Sequence, residues 1–198
     1  MVLKWFAKGF YPELDGDPDA AFRQIDRDAA CVPAGCEGLL MLPHLNGASN
    51  PELDPYAKGV FYGITLRHGR AHFARAIMEA VAFMLRRNTD QLRELGLGFD
   101  SLFCMGGGAR SPLWLGIKAS VTGCGMIPIA SRESGCLGAA LLAGVGVGRY
   151  TDIDSAAQGL ALGTAEIKAD PALKPRYEEA YKSYISLYET LKPFFASR

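Results

Sequence analysis

Two short apolar runs, at residues 101–105 and 126–130, are each enclosed by stretches with helical spacing, and no other feature constrains the fold as tightly. Before the first run, Phe73, Ile77, Ala80, Val81, Met84, Asn88, Leu92 and Leu95 recur every three or four positions, one face of a long helix that Gly96 is placed to end. Between the runs, Ser111 and Pro112 open a second helix: a serine side chain caps free N–H groups, and proline suits the first helical position. That helix carries Trp114, Ile117 and Val121 inward and stops at Gly123. A helix of small residues follows at about 134–145. A last one begins near Pro175, with Tyr177, Tyr181, Tyr184, Tyr188 and Leu191 on a core-facing stripe. Helix, strand, helix, strand, helix means an α/β fold with parallel strands and right-handed crossovers. Two strands are too few for a finished sheet of this kind. The remainder comes either from residues 1–55 or from a part of the protein outside this chain.

Residues 1–55 read differently. A short apolar run (3–10) precedes an acidic Pro/Gly stretch and a helix over 18–27, which Asp17 caps and Pro18 starts. Residues 38–43 form a buried strand ended by Pro43, and 46–56 form a loop. These pieces do not close a core alone, so 1–55 is taken as an incomplete leading segment with an insertion, and 56–198 as the main domain.

The chain is 49% apolar and 21% charged, enough to bury a core and unlike a disordered segment. Its 21 basic and 21 acidic residues cancel, which argues against a general attraction to nucleic acid or an anionic membrane. No apolar stretch reaches the ~18 residues of a membrane span, and the first residues lack a signal peptide's apolar core. Five cysteines (Cys31, Cys36, Cys104, Cys124 and Cys136), odd in number and irregular in spacing, read as reduced, mostly buried thiols of a cytoplasmic protein. His68 and His72 stand four apart but have no third ligand nearby, so no metal site is assigned.

The residues that carry chemistry lie in Leu102-Phe-Cys-Met-Gly-Gly-Gly-Ala-Arg-Ser-Pro-Leu-Trp114. Three glycines between a buried strand and a capped helix permit left-handed angles and close approach of a ligand, and the helix adds N–H donors and a partial positive end. By pattern alone this is either a ligand site or a tight turn. It is not a Walker loop, because no Gly-Lys-Ser/Thr follows, and Ser111 stands where a dinucleotide motif has its last glycine.

Here a specific resemblance emerges. Met105-Gly-Gly-Gly-Ala-Arg-Ser-Pro-Leu-Trp114 resembles the adenosine-binding turn of the FGGY carbohydrate kinases, in particular their xylulose kinase-like members. Gly59-Val-Phe-Tyr-Gly63-Ile64 followed by His72-Phe-Ala-Arg-Ala-Ile-Met-Glu79 resembles the family signature. Glu133-Ser-Gly-Cys-Leu-Gly-Ala-Ala-Leu-Leu-Ala143 resembles its Gly/Ala-rich helix. The resemblance implies a partial actin-like ATPase (ribonuclease H-like) domain, the C-terminal part of a kinase that passes the γ-phosphate of ATP to a hydroxyl of a pentulose or related polyol, with Mg²⁺ bridging the phosphates. Gly106, Gly107, Gly108 and Ala109 would face the adenosine, with Arg110 beside them, while Ser111 caps the next helix. Glu79 matches an acidic position of the family, with a structural or a ligand role open.

The family's phosphate motifs and proton-accepting aspartate precede the matching region, so no catalytic base is assigned. The implied partner is an N-terminal kinase domain outside this chain. The implied corollary is an open sheet edge that invites self-association, as in a homodimer. The alternative is a catalytically inactive, truncated nucleotide-binding or interaction module.

Overall fold

The computed structural model describes residues 2–129, 134–158 and 165–196. Its first two helices are α1 (Val2–Phe10) and α2 (Pro18–Ala30). Asp17 caps α2 as its residue type predicts, its side chain accepting from Ala20 N at 2.9 Å. Strand β1 (Leu40–Pro43) is buried along its length and pairs antiparallel with β2 (Gly59–Tyr62), Leu40 opposite Tyr62 and Pro43 opposite Gly59. A long helix, α3 (Arg70–Glu94), leads to β3 (Ser101–Cys104), α4 (Pro112–Thr122) and β4 (Gly125–Pro128). β3 and β4 are parallel, with Leu102 opposite Met126. The remaining helices are α5 (Ser134–Gly146), α6 (Ile153–Gln158) and α7 (Lys174–Ala196). No helix among the described residues is long and apolar enough to cross a membrane.

The main core joins both halves of the sequence. Phe6 and Tyr11 from the first helix region, Ile25 and Ala29 from α2, and Leu39, Met41 and Leu42 around β1 pack with Ile77, Met78 and Phe83 of α3. Tyr177, Tyr181, Tyr184 and Tyr188 of α7 complete it, so the tyrosine stripe is core, as its spacing predicts. Full burial of each large apolar side chain contributes roughly 1.5–3 kcal/mol. α4 serves two layers. Ile117 and Val121 face this core, whereas Leu115 and Ala119 pack with Cys124 and Met126 beneath the parallel strands.

Four expectations change. β3, expected to be buried, is covered on one face only: Leu102 and Cys104 pack on the second core, while Phe103 on the other face is 61% exposed. Leu92 and Leu95 are 39% and 78% exposed, because the last turns of α3 run beyond the layer that covers Ala74–Phe83. Only Cys36 and Cys124 are buried; Cys31 and Cys136 are exposed and Cys104 is intermediate, although all five are free thiols. The 59–62 segment, read only as a motif, is a strand; it became one by pairing with β1, a contact across sequence that local pattern does not encode. Ala130 and Glu133 of the expected motifs lie outside the described residues.

Candidate functional site

β3 and β4 run parallel, so their carboxyl ends open on the same side, where ligands of open α/β sheets bind. β3 ends at Cys104 and the chain turns at once. Gly106 has φ 79° and ψ −171°, a region that side chains with a Cβ rarely enter. A short 3-10 turn, Gly107–Arg110, follows, closed by Ala109 N donating to Gly106 O at 3.1 Å. The left-handed demand thus falls on the first glycine alone. Gly107 meets a different condition: a Cβ there would have nothing within 4 Å, so its backbone faces open space. Gly108 is tight: a Cβ there would sit 3.1 Å from Trp114 Cζ3 and 3.4 Å from Lys118 Nζ.

The helix behind the turn is firmly held. Ser111 Oγ accepts from Trp114 N at 3.0 Å, the expected cap. Its hydroxyl also bonds Asp26 of α2, an interaction that opposes the upward push of burial on that carboxyl group. Trp114 Nε1 donates to Met78 O on α3 at 3.0 Å. Arg110 points to α2, where its guanidinium lies 3.3 Å from Asp19 on an exposed surface. Such exposed pairs contribute under about 1 kcal/mol, so Arg110 remains free to exchange partners.

Thus Gly106–Ala109 form one surface and Arg110 sits at its margin. Sequence reasoning missed Lys118, whose Nζ lies 4.3 Å from the Trp114 ring centroid and 3.4 Å from where a Gly108 Cβ would stand. The available signal was its place one helical turn after Trp114 on an otherwise apolar helix.

Two other candidates resolve into structure. Glu79 is 2% exposed and sits in the core, where Oε1 accepts from Arg75 Nε at 2.8 Å and Gly35 N at 3.0 Å. His68 Nδ1 accepts from Thr65 N and His72 Nδ1 from Gly69 N, so both organise the entry to α3. Among the described residues no three His, Cys, Asp or Glu groups could hold a metal ion.

The profile of the FGGY family of carbohydrate kinases, C-terminal domain, matches residues 4–147. This chain belongs to that family. Xylulose kinase of Bacillus subtilis is 29% identical over 191 residues, which are 96% of this chain and 36% of that protein. Glycerol kinase of Citrifermentans bemidjiense is 36% identical over 160 residues, 79% of this chain and 29% of its own. The crystal structure of xylulose kinase from Rhodospirillum rubrum superposes with a TM-score of 0.84 at 36% identity, covering 98% of this chain and 38% of that one. The FGGY chain therefore has the α/β architecture of a partial actin-like ATPase domain, with parallel strands and flanking helices. It spans a little over a third of the length of these xylulose kinases.

Proposed function

We propose that this FGGY domain is the nucleotide-binding part of an ATP-dependent sugar kinase that phosphorylates a hydroxyl of a pentulose, xylulose-like, or a related polyol. The observation that carries the reading is the open glycine face at the carboxyl end of β3, backed by a doubly capped α4. A flat base and ribose need backbone without side chains, and Gly106 and Gly107 offer it, with Gly108 and Ala109 behind them. The names of the relatives, one acting on xylulose and another on glycerol, support a polyol hydroxyl as acceptor.

ATP fits the residues present at its adenosine end: Gly106–Ala109 would hold base and ribose, and the nucleotide supplies the phosphoryl group for transfer. This chain's own work is to bind, orient and exclude water along one wall of the cleft, a large share of catalysis in phosphoryl transfer. Mg²⁺ would be held chiefly by the ATP phosphates, whose charge it would neutralise. The proton acceptor is assigned to the preceding kinase domain.

The proposed partner is the preceding kinase domain. The outer edge of β3 has no strand beside it among the described residues, and Phe103 and Met105 are 61% and 58% exposed. An added strand would satisfy that edge. A second copy of the chain would occupy it when the partner is absent. Activity is proposed for the assembled cleft in the cytoplasm, where ATP is supplied.

A coupled assay over pentuloses and glycerol, run on the full-length enzyme with and without a Gly107→Val change, tests the reading; this chain alone is expected to be inactive. A rise in the Michaelis constant for ATP with the sugar constant unchanged is expected. An unchanged ATP constant in the folded variant overturns it.

A further inference from the structure

Among the described residues, Lys118 is the one group at the turn whose charge has no opposite partner. On α3, Arg86, Arg87 and Arg93 each reach a carboxylate, and Arg110 reaches Asp19. Lys118 forms no ion pair among the described residues, although its side chain is half-buried. Its ammonium stacks on Trp114, itself fixed by the bond to Met78 O, and it approaches Gly108 so closely that a Cβ there would touch both. The neighbouring titratable group is the Cys104 thiol at the end of β3, which is not anionic at neutral pH because burial raises it. A cation placed in such surroundings costs free energy until an anion arrives.

We propose that Lys118 is a positioning residue for the phosphorylated nucleotide, its ammonium holding the phosphate nearest the ribose against the Gly106–Gly108 turn. The inference rests on the adenosine reading of that turn and deepens it. The glycine backbone recognises shape and offers neutral donors. Lys118 adds the positive field that distinguishes a nucleoside 5′-phosphate from a nucleoside, and it acts in a partly desolvated place where charge is poorly screened. Burial lowers the pKa of the amine, and with no carboxylate paired to it among the described residues an incoming phosphate would be the group that restores it. Trp114 sets the direction of the stem, and Gly108 leaves room for it.

The test compares ADP with adenosine by calorimetry on the purified protein and on Lys118→Met, which keeps an unbranched stem against Trp114, and Lys118→Arg, which keeps the charge. In the Met variant, ADP affinity falls about tenfold, the scale of one charge-assisted contact, while adenosine affinity holds. The Arg variant retains most of the preference. As a second readout, the Lys118 amine, followed by NMR after isotopic dimethylation, titrates at higher pH with ADP bound and not with adenosine. Equal losses for both ligands, or no loss for either, in a variant with the wild-type melting point overturn the role of Lys118 and leave the turn as a nucleoside site. If wild-type protein binds neither ligand, or Gly107→Val leaves binding intact, the adenosine reading fails and this proposal with it.

Discussion

Arg75 donates through Nε to Glu79 Oε1 at 2.8 Å, one turn apart on α3, with side-chain exposures of 7% and 3%. The pair is the hub of a network. Arg75 Nη2 donates to Tyr177 OH at 2.7 Å, and Gly35 N donates to the same Glu79 oxygen as Arg75. It thereby ties α3 to α7 and to a turn in which Gly35, Cys36, Glu37 and Gly38 all have positive φ. Two of those four carry side chains, so each costs roughly 1–2 kcal/mol in the left-handed region. The carboxylate that anchors Gly35 N offsets that strain.

Removing Glu79 leaves a buried guanidinium unpaired and the turn unanchored. Glu79→Ala is expected to lose about 3–5 kcal/mol, and the thermal midpoint to fall by on the order of 10 °C. A double change, Arg75→Met with Glu79→Leu, costs less than the single one because no charge is stranded. Calorimetric melts check both. A Glu79→Ala protein that melts with the wild type would show that the pair carries no structural weight.

The thiols should separate by burial. Burial, reinforced by the charge of Glu79, pushes the Cys36 thiol up to about 12, and Cys36 is fully buried. Because the thiolate is the reactive form, Cys36 resists alkylation in the folded protein, as does buried Cys124. Exposed Cys31 and Cys136 react first. Mass spectrometry of iodoacetamide-treated protein, before and after denaturation, reads the order. Early labelling of Cys36 contradicts the packing described.

Stability should decline in alkali. Burial raises the Cys36 thiol from 9.0 to about 12 and the Tyr181 phenol from 10.0 to about 12, and it raises Tyr11, Tyr177, Tyr184 and Tyr188 as well. Above pH ~9 the unfolded chain gives up protons that the folded chain keeps, so stability falls with rising pH. The contribution is complete below the unfolded values and is lost as pH climbs through the folded ones. Lys118 acts with the opposite sign, since burial lowers it and the folded chain holds fewer protons there, but it stands against these six groups and the Cys104 thiol, which burial also raises. Melting midpoints between pH 8 and 11 should decrease steadily; a flat or rising profile contradicts the burial of these phenols.

Much of this was legible in the sequence because local chemistry and tertiary role agree. Asp17 and Ser111 are caps, Gly123 ends α4 in a left-handed conformation, and the tyrosines of α7 point into the core at helical spacing. The triple glycine marked the turn, but which glycine is conformationally required was not readable. Gly106 alone of the three has a positive φ. Three features depend on distant partners and left little local trace: β2, which exists through β1; Ser120, whose hydroxyl accepts from Asp170 N at 3.0 Å; and Lys118, whose meaning depends on nearby Gly108.

At Gly107 the fold and the nucleotide make separable demands. The residue is exposed, its φ is not positive, and a Cβ built on it meets nothing within 4 Å. A valine there should leave the melting temperature within a few degrees of wild type, as surface changes away from strained positions do. It should also project into the space assigned to the base and ribose. The measurement is adenosine and ADP binding to Gly107→Val by calorimetry, beside its melting curve. A folded protein with both affinities reduced by at least about tenfold, ~1.4 kcal/mol, is expected. A folded Gly107→Val protein that binds both ligands like wild type would contradict it.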